Sequence, residues 1–182
     1  YKSSQQNAFT LPGQHFAILT GFLEAAKNEE EIAGVMAHEM GHMVHRDALE
    51  AFIEGQGFQV IGSLIGSSSA YGDLAKVASV MQTLSYSREK EYAADMFAVQ
   101  LLSSAGYSSS GLSGFLSRID AQEKDGLEKV VSSLEFLSNH PDTRERIRLV
   151  NVAAAKFNAG QNKASLSGAE FLRLKEACSR MP

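Results

Sequence analysis

The chain has 182 residues, 44% of them hydrophobic, and a net charge of -4, which suits a globular domain with a sizeable core. Its 17 basic residues are scattered and outnumbered by 21 acidic ones, which argues against a nucleic-acid-binding surface. The single cysteine, Cys178, cannot form an internal disulfide, and no apolar run has the length of a membrane-spanning helix. The chain starts at Tyr1 without a signal peptide, and we expect residues 1–182 to be one domain cut from a longer protein.

The first predicted elements are a short strand and a long helix. Leu11–Gly13 contains a Pro-Gly turn signal, and the apolar run Phe16–Thr20 after it predicts a strand. Asn28 is a favourable N-cap, and Glu31 three residues later fits a capping box. Apolar residues then recur at helical spacing, which predicts a helix running to about Leu49 or beyond.

The rest of the chain also has mainly helical patterns. Residues 55–72 are rich in glycine and serine and fit either a loop or a weak helix, and helical spacing returns at Asp73. A strong helix is expected over Ser87–Ser104, with Gly106 as its C-terminal cap. Further helices are expected near Ser110–Ala121, near Leu127–Phe136, from Pro141 onward, and over Gly168–Cys178. The sequence therefore predicts one mainly α domain with a small β-sheet or hairpin.

The predicted long helix carries the motif H-E-x-x-H, formed by His38, Glu39 and His42. Residues four apart lie one turn apart on the same face of a helix, so both imidazoles can reach one zinc ion. Glu39 stands beside them and can take a proton from the attacking water. The alternative interpretation is a pair of surface histidines on an amphipathic helix, which the independent helix signals make less attractive.

A catalytic zinc ion needs a third protein ligand and one open position. In one known extension of the H-E-x-x-H motif, a glycine stands at position 45 and a histidine at position 48 is the third ligand. This chain has His45 and Ala48 at these positions, so it does not fit that pattern. Glu91 and Asp95 share a face of the next strong helix, so one can bind the metal while the other accepts a hydrogen bond from a ligand histidine. The alternative is that Glu91 only pairs with Arg88 or Lys90 at the surface. We expect Glu91 to be the third ligand and Asp95 to support a histidine.

Several blocks of sequence resemble the metallopeptidase family that includes the CaaX prenyl proteases, HtpX and BepA. They follow the family's order and consist of Asn7–Gly13, His38–His42, Ser87–Asp95, and His140-Pro141 followed by Arg146. The resemblance implies a thermolysin-like gluzincin fold with one zinc ion held by His38, His42 and Glu91. The membrane helices of HtpX and the prenyl proteases have no counterpart here, which favours the soluble BepA-like branch.

The same resemblance places His140 and Arg146 at the active site as catalytic residues. A cationic or imidazole group near zinc can stabilise the oxyanion that forms when the peptide carbonyl becomes tetrahedral. His140 could instead close the fourth position of the zinc ion and hold the enzyme latent. The plainer alternatives are that His140 caps the helix beginning at Pro141 and that Arg146 forms a salt bridge.

The residues together predict a zinc-dependent endopeptidase in which Glu39 is the general base. We expect the substrate chain to lie extended beside the strand at Phe16–Thr20. The resemblance implies misfolded envelope proteins as substrates and a periplasmic or envelope location, with no nucleic-acid partner. The competing hypothesis is a latent or inactive zinc-binding chaperone module.

Overall fold

The computed structural model describes residues 2–11, 13–54, 83–124, 136, 139–141, 143–157 and 166–180. Their strands and helices are β1 (Ala8–Leu11), β2 (His15–Ile18), α1 (Thr20–Ala25), α2 (Glu29–His45), α3 (Arg88–Ala105), α4 (Ser110–Lys124), α5 (Thr143–Phe157) and α6 (Gly168–Ser179). Residues 47–54 are also helical. The prediction of a mainly α fold with a small hairpin is confirmed.

The hairpin pairs β1 with β2 in antiparallel register, with Thr10 opposite Phe16. Its turn contains Gly13 and Gln14, whose φ angles of 91° and 66° lie in the left-handed region, where glycine costs little and glutamine is uncommon. The predicted strand is displaced, because β2 ends at Ile18 and the residues from Thr20 onward form α1.

Helix α2 begins as the sequence predicts, but it ends earlier. The Asn28 side chain accepts a hydrogen bond of 2.9 Å from the backbone N–H of Glu31. The helix was expected to continue to about Leu49, but it ends at His45 because Arg46 is left-handed, with φ of 61°. The chain then changes direction before residues 47–54 resume a helical path.

Helix α3 has the caps that the sequence predicts. The Ser87 side chain accepts a hydrogen bond from the backbone N–H of Lys90 at the N-terminus. Gly106 has a φ of 79° and ends the helix, with its N–H directed to the last carbonyl groups. Both ends of the helix that carries Glu91 are therefore fixed by local sequence.

The core holds α2 in contact with both α3 and α4, while α5 packs against α3 and α4. Side chains from these helices meet in one buried cluster that includes Val35, Ala98, Leu112, Phe115 and Val150. The hairpin also contacts α2, chiefly through β1. Helix α2 is thus supported on several sides, which gives its side chains a rigid frame.

Other predicted boundaries differ by a few residues. The helix expected from Pro141 starts at Thr143, and the one expected to end at Ala121 continues to Lys124. Predictions for residues 55–72, for the segment after Asp73, and for most of Leu127–Phe136 lie outside the described residues. Within the described part of the chain, no helix combines the length and apolar character needed to cross a membrane.

Candidate metal centre

His38 and His42 project from the same face of α2 into the protein interior. Both side chains are fully buried, and their Nε2 atoms lie 3.1 Å apart. Their rings meet edge to face, with centroids 4.6 Å apart. The spacing of four residues therefore brings both nitrogen atoms to one point, as a shared metal ion requires.

Glu91 reaches this point from α3. Its Oε1 lies 3.3 Å from His42 Nε2, and its Oε2 lies 3.5 Å from His38 Nε2. The two helices approach closely at Gly41 and Ala94, where a Cβ on Gly41 would lie 2.8 Å from the Ala94 Cα. The absence of a side chain at Gly41 thus allows Glu91, one turn before Ala94, to reach the histidines.

His140 completes the cluster from the segment that precedes α5. Its Nδ1 lies 3.0 Å from Glu91 Oε1 and 3.3 Å from His38 Nε2. Its ring stacks on Phe136, with centroids 4.4 Å apart. The donor atoms of the whole set, His38, His42, Glu91 and His140, lie within 4.8 Å of one another.

The spacing of these donors fits a metal ion of the size of zinc. A tetrahedral centre with bonds of about 2.0–2.1 Å has donor–donor edges of about 3.3–3.4 Å. The separations among His38, His42, Glu91 and His140 given above run from 3.0 to 3.5 Å. Imidazole nitrogen and carboxylate oxygen are also donors that such an ion accepts.

The charges around the centre also favour a cation. Four buried carboxylates, those of Glu39, Asp47, Glu91 and Asp95, surround the cluster, and Arg146 is the buried guanidinium among them. Uncompensated buried charge is costly, so a cation bound at their centre would stabilise this excess of carboxylates. Burial would lower the pKa of His42, but hydrogen bonds and charge from Asp47 and Glu91 raise it to about 9.

Both α2 histidines have a carboxylate on the ring nitrogen that faces away from the centre. Asp95 Oδ1 lies 2.8 Å from His38 Nδ1, and Asp47 Oδ2 lies 2.8 Å from His42 Nδ1. Each carboxylate favours a proton on Nδ1, which leaves the Nε2 lone pair directed to the shared point. Asp95 therefore has the position proposed from the sequence, while Asp47 was not anticipated.

Arg146 lies behind the cluster and is fully buried. Its Nε and Nη2 donate to the two oxygens of Asp95 at 2.8 Å, and its Nη1 lies 2.6 Å from Glu91 Oε2. Its Nη1 also donates to the backbone carbonyl of His140 at 3.3 Å. Burial would raise the pKa of Asp95, but the charge and hydrogen bonds of Arg146 hold it at about 2.

Glu39 is fully buried next to His38, and its two carboxylate oxygens differ in their surroundings. Oε2 accepts a hydrogen bond of 2.9 Å from the hydroxyl of Thr10 on β1. Oε1 has no hydrogen-bond partner among the described residues, although His140 Nε2 lies 3.4 Å away. One oxygen of Glu39 is thus held by the hairpin while the other remains available for proton transfer.

Tyr86, which lies immediately before the N-cap of α3, stacks on the ring of His42. The two rings are stacked at a centroid distance of 4.1 Å with an angle of 19° between their planes. Burial and the nearby carboxylates raise the pKa of Tyr86, so its phenol remains neutral. A tyrosine before an N-cap carries no sequence signal for this contact, and sequence reasoning missed it.

A cavity of about 310 Å³ opens beside the cluster. Its lining comes from the end of β1, the hairpin turn, the last turn of α2 and the residues that follow, namely Thr10, Leu11, Gly13, Gln14, His42, Met43, Arg46, Ala48 and Leu49. Because His42 is part of its wall, a group bound there would lie next to the cluster.

Fold and site together define a metallohydrolase domain, in which an H-E-x-x-H helix and a glutamate from a second helix form a buried metal-binding cluster. The chain belongs to peptidase family M48, whose sequence profile matches residues 1–153. The family expected from the sequence motifs is therefore confirmed.

The chain is similar to several curated proteases. The mitochondrial metalloendopeptidase OMA1 of Arabidopsis thaliana is 30% identical over 145 residues, which cover 79% of this chain and 28% of that protein. The β-barrel assembly-enhancing protease of Yersinia pestis is 26% identical over 76% of this chain and 30% of its own length. A protease HtpX homolog of Acidiphilium cryptum is 29% identical over 88% of this chain and 68% of its own length. The chain spans less than half the length of the OMA1 relatives it matches.

Proposed function

We propose that the chain is a zinc-dependent endopeptidase in which His38, His42 and Glu91 hold the metal ion and Glu39 is the general base. The observation that carries this proposal is the position of Glu39. Its Oε1 has no hydrogen-bond partner among the described residues and lies beside a buried set of donors whose spacing suits zinc. A buried carboxylate oxygen without a partner is costly, and its place next to the cluster gives it a chemical use.

Zinc bound at this set would lower the pKa of water to about 7 and polarise the scissile carbonyl. The Oε1 atom of Glu39 then accepts a proton from the attacking water and delivers it to the leaving amine. Asp95 and Asp47 keep His38 and His42 in the tautomer that presents Nε2. Glu39 is therefore in position to carry the proton in both transfers, first from the attacking water and then to the leaving amine.

We propose Arg146 as a positioning residue, although the family resemblance placed it among the catalytic residues. Its guanidinium already contacts Asp95, Glu91 and the carbonyl of His140. It is also fully buried, and its donors are directed at the oxygens of these protein groups. These contacts support a role in which Arg146 holds three groups in place. They are the carboxylate of Glu91, the carboxylate of Asp95 that orients His38, and the segment that carries His140.

His140 supports a closed resting state. Its Nδ1 lies among the donors, and its Nε2 lies 3.4 Å from the oxygen of Glu39 that we assign to proton transfer. With a zinc ion bound at the cluster, His140 in this position would fill the coordination site that water and substrate need. We propose that His140 leaves this position when substrate binds, and that the departed imidazole can then stabilise the oxyanion.

We propose a protein substrate that binds in extended form beside the hairpin. Within the described residues, β2 pairs only with β1, so its other edge can accept a peptide strand. The resemblance to the BepA-like branch suggests misfolded envelope proteins as substrates, and a relative named β-barrel assembly-enhancing protease supports the bacterial envelope as the proposed location. The relatives named mitochondrial OMA1 make a mitochondrial location the alternative.

The second candidate function is a zinc-binding interaction module without proteolysis. Four converging protein donors are typical of structural zinc sites, which keep no open position. The Oε1 of Glu39, which accepts no hydrogen bond within the described part of the chain, favours the enzyme, because an inert site has no use for a buried base.

Casein digestion by the purified protein, with and without a chelator, separates these functions when it is run beside Glu39→Gln. Glutamine keeps the size of the side chain but cannot take up the proton. We expect a chelator-sensitive wild type and an inactive variant with the same zinc content as wild type. An active Glu39→Gln variant would rule out Glu39 as the base, and an inactive wild type that binds zinc would favour the interaction module.

A further inference from the structure

The hydroxyl of Thr10 contacts the proposed general base from outside the helix that carries it. Thr10 lies on β1 with only 2% of its surface exposed, and its Oγ1 is 2.9 Å from both Glu39 Oε2 and the Glu39 backbone carbonyl. We propose that Thr10 is a positioning residue that fixes the carboxylate of Glu39 for proton transfer. This proposal rests on the role of Glu39 proposed above.

Hydrogen-bonding capacity favours the carboxylate as the partner that needs Thr10. A hydroxyl has one proton to donate, and an ionised carboxylate can only accept. The Glu39 carbonyl lies inside α2, where the backbone N–H four residues later already bonds to it. Within the described residues, Thr10 is the hydrogen-bond donor to Oε2. Oε2 therefore depends on this hydroxyl, while the carbonyl does not.

The contact decides which oxygen of Glu39 does the chemistry. The terminal torsion of a glutamate is broad, so an unrestrained carboxylate can rotate and exchange its two oxygens. The bond from Thr10 occupies Oε2 and leaves Oε1 without a hydrogen-bond partner among the described residues, with His140 Nε2 3.4 Å away. A fixed carboxylate plane also keeps the acquired proton directed at the leaving group during the second transfer.

The position of Thr10 in the hairpin ties the base to the proposed substrate platform. Thr10 is paired opposite Phe16 in the two-stranded sheet, and it also lines the cavity beside His42. A shift of the hairpin relative to α2 would therefore move the hydroxyl away from Glu39. The same strand pair that supports an extended substrate thus keeps the base in register with it.

The competing explanation is that Thr10 only fastens the hairpin to α2 through the Glu39 carbonyl. Three variants separate the two explanations: Thr10→Val removes the hydroxyl while keeping the branched shape, Thr10→Ser restores it, and Thr20→Val serves as the matched control. Thr20 is also buried, but its hydroxyl bonds to the backbone of Ser3. Thr20→Val therefore removes comparable hydrogen bonds that lie away from the metal-binding cluster.

We expect Thr10→Val to lower kcat about 10- to 100-fold, with KM and zinc content as in wild type. Thr10→Ser should recover most of the lost kcat, and Thr20→Val should keep the wild-type kcat. Wild-type kcat in Thr10→Val at full zinc content would overturn the proposal while leaving the endopeptidase function intact. Failure of serine to restore kcat would overturn it as well.

A double-mutant cycle on the purified protein tests the contact without relying on activity. The denaturant midpoint is measured for wild type, Thr10→Val, Glu39→Ala and the double variant. We expect Thr10→Val to lower the midpoint clearly in the wild-type background and much less in the Glu39→Ala background. Equal shifts in both backgrounds would show that the hydroxyl serves the carbonyl alone and would overturn the proposal, whether or not the protein digests casein.

Discussion

Asp47 Oδ2 lies 2.8 Å from His42 Nδ1, although the two residues are five positions apart. On a continuous helix, residues five apart point about 140° away from each other. The left-handed conformation of Arg46 interrupts α2 and turns Asp47 back toward His42. The early end of α2 therefore has a chemical consequence, because it supplies the carboxylate that fixes the tautomer of His42.

We expect Asp47→Ala to weaken zinc binding about 10- to 100-fold, since outer partners of ligand histidines typically have effects of this size. The affinity is measured by competition with a chromophoric chelator. Glu50→Ala is the matched control: Glu50 and Asp47 both pair with Lys90, but the Glu50 side chain is 57% exposed and contacts neither His38 nor His42 in the described structure. Equal affinities for both variants and wild type would contradict the role of Asp47.

Gly41 controls how closely α2 and α3 approach. A Cβ at this position would meet the Cα of Ala94 at 2.8 Å and its carbonyl oxygen at 3.0 Å. We expect Gly41→Ala to push Glu91 away from the histidines and to lower both the zinc affinity and the thermal unfolding midpoint. The measurements are chelator competition and calorimetry of the same samples.

The control for Gly41→Ala is Gly114→Ala in α4. An added Cβ at Gly114 would meet no atom of the described residues within 4 Å. The helix propensity of alanine then predicts a gain of stability of up to about 1 kcal/mol and no change in zinc affinity. A Gly41→Ala variant that behaves like Gly114→Ala would show that the close approach of the helices is not needed.

The ligand geometry could be predicted where it depends on regular helices. The spacing of His38 and His42, and the shared face of Glu91 and Asp95, follow from helical periodicity. Asp47 could not be predicted, because the interruption at Arg46 arises in a residue without a turn signal. Local sequence therefore determines contacts within a helix, while contacts that depend on a break in it need the structure.

Contacts between elements that are distant in the sequence could not be predicted either. Nothing in the sequence pairs Thr10 with Glu39, because the contact depends on how the hairpin packs on α2. The resemblance placed His140 and Arg146 at the site without indicating their partners. The structure shows that Arg146 contacts Asp95 and Glu91, which gives it a different chemical environment from that of an oxyanion donor.

Replacement of Arg146 tests its positioning role through stability. Arg146→Met leaves Asp95 and Glu91 without their guanidinium partner in a buried site, which typically costs about 3–5 kcal/mol. We expect a lower free energy of unfolding in urea for this variant. Arg144→Met is the control, because Arg144 pairs with Asp120 and its side chain is 73% exposed. Unchanged stability together with reduced turnover would instead support an oxyanion role for Arg146.

His140 occupies a position from which it affects both the metal ion and the base. Its Nδ1 is one of the converging donors, and its Nε2 is near Glu39 Oε1. With a metal ion bound at the cluster, His140 in this position would compete with water for the metal and with the attacking water for Glu39. Removal of the imidazole should therefore activate the latent enzyme, even though a displaced His140 could also stabilise the oxyanion.

We expect His140→Ala to raise the initial rate of casein digestion above that of wild type at equal zinc content. The rate rises because the fourth coordination position becomes available without a conformational change. His45→Ala is the control, since His45 lies at the exposed end of α2 and its ring contacts Phe97 outside the cluster. A rate below wild type would show that oxyanion stabilisation outweighs latency, and an unchanged rate would contradict both roles of His140.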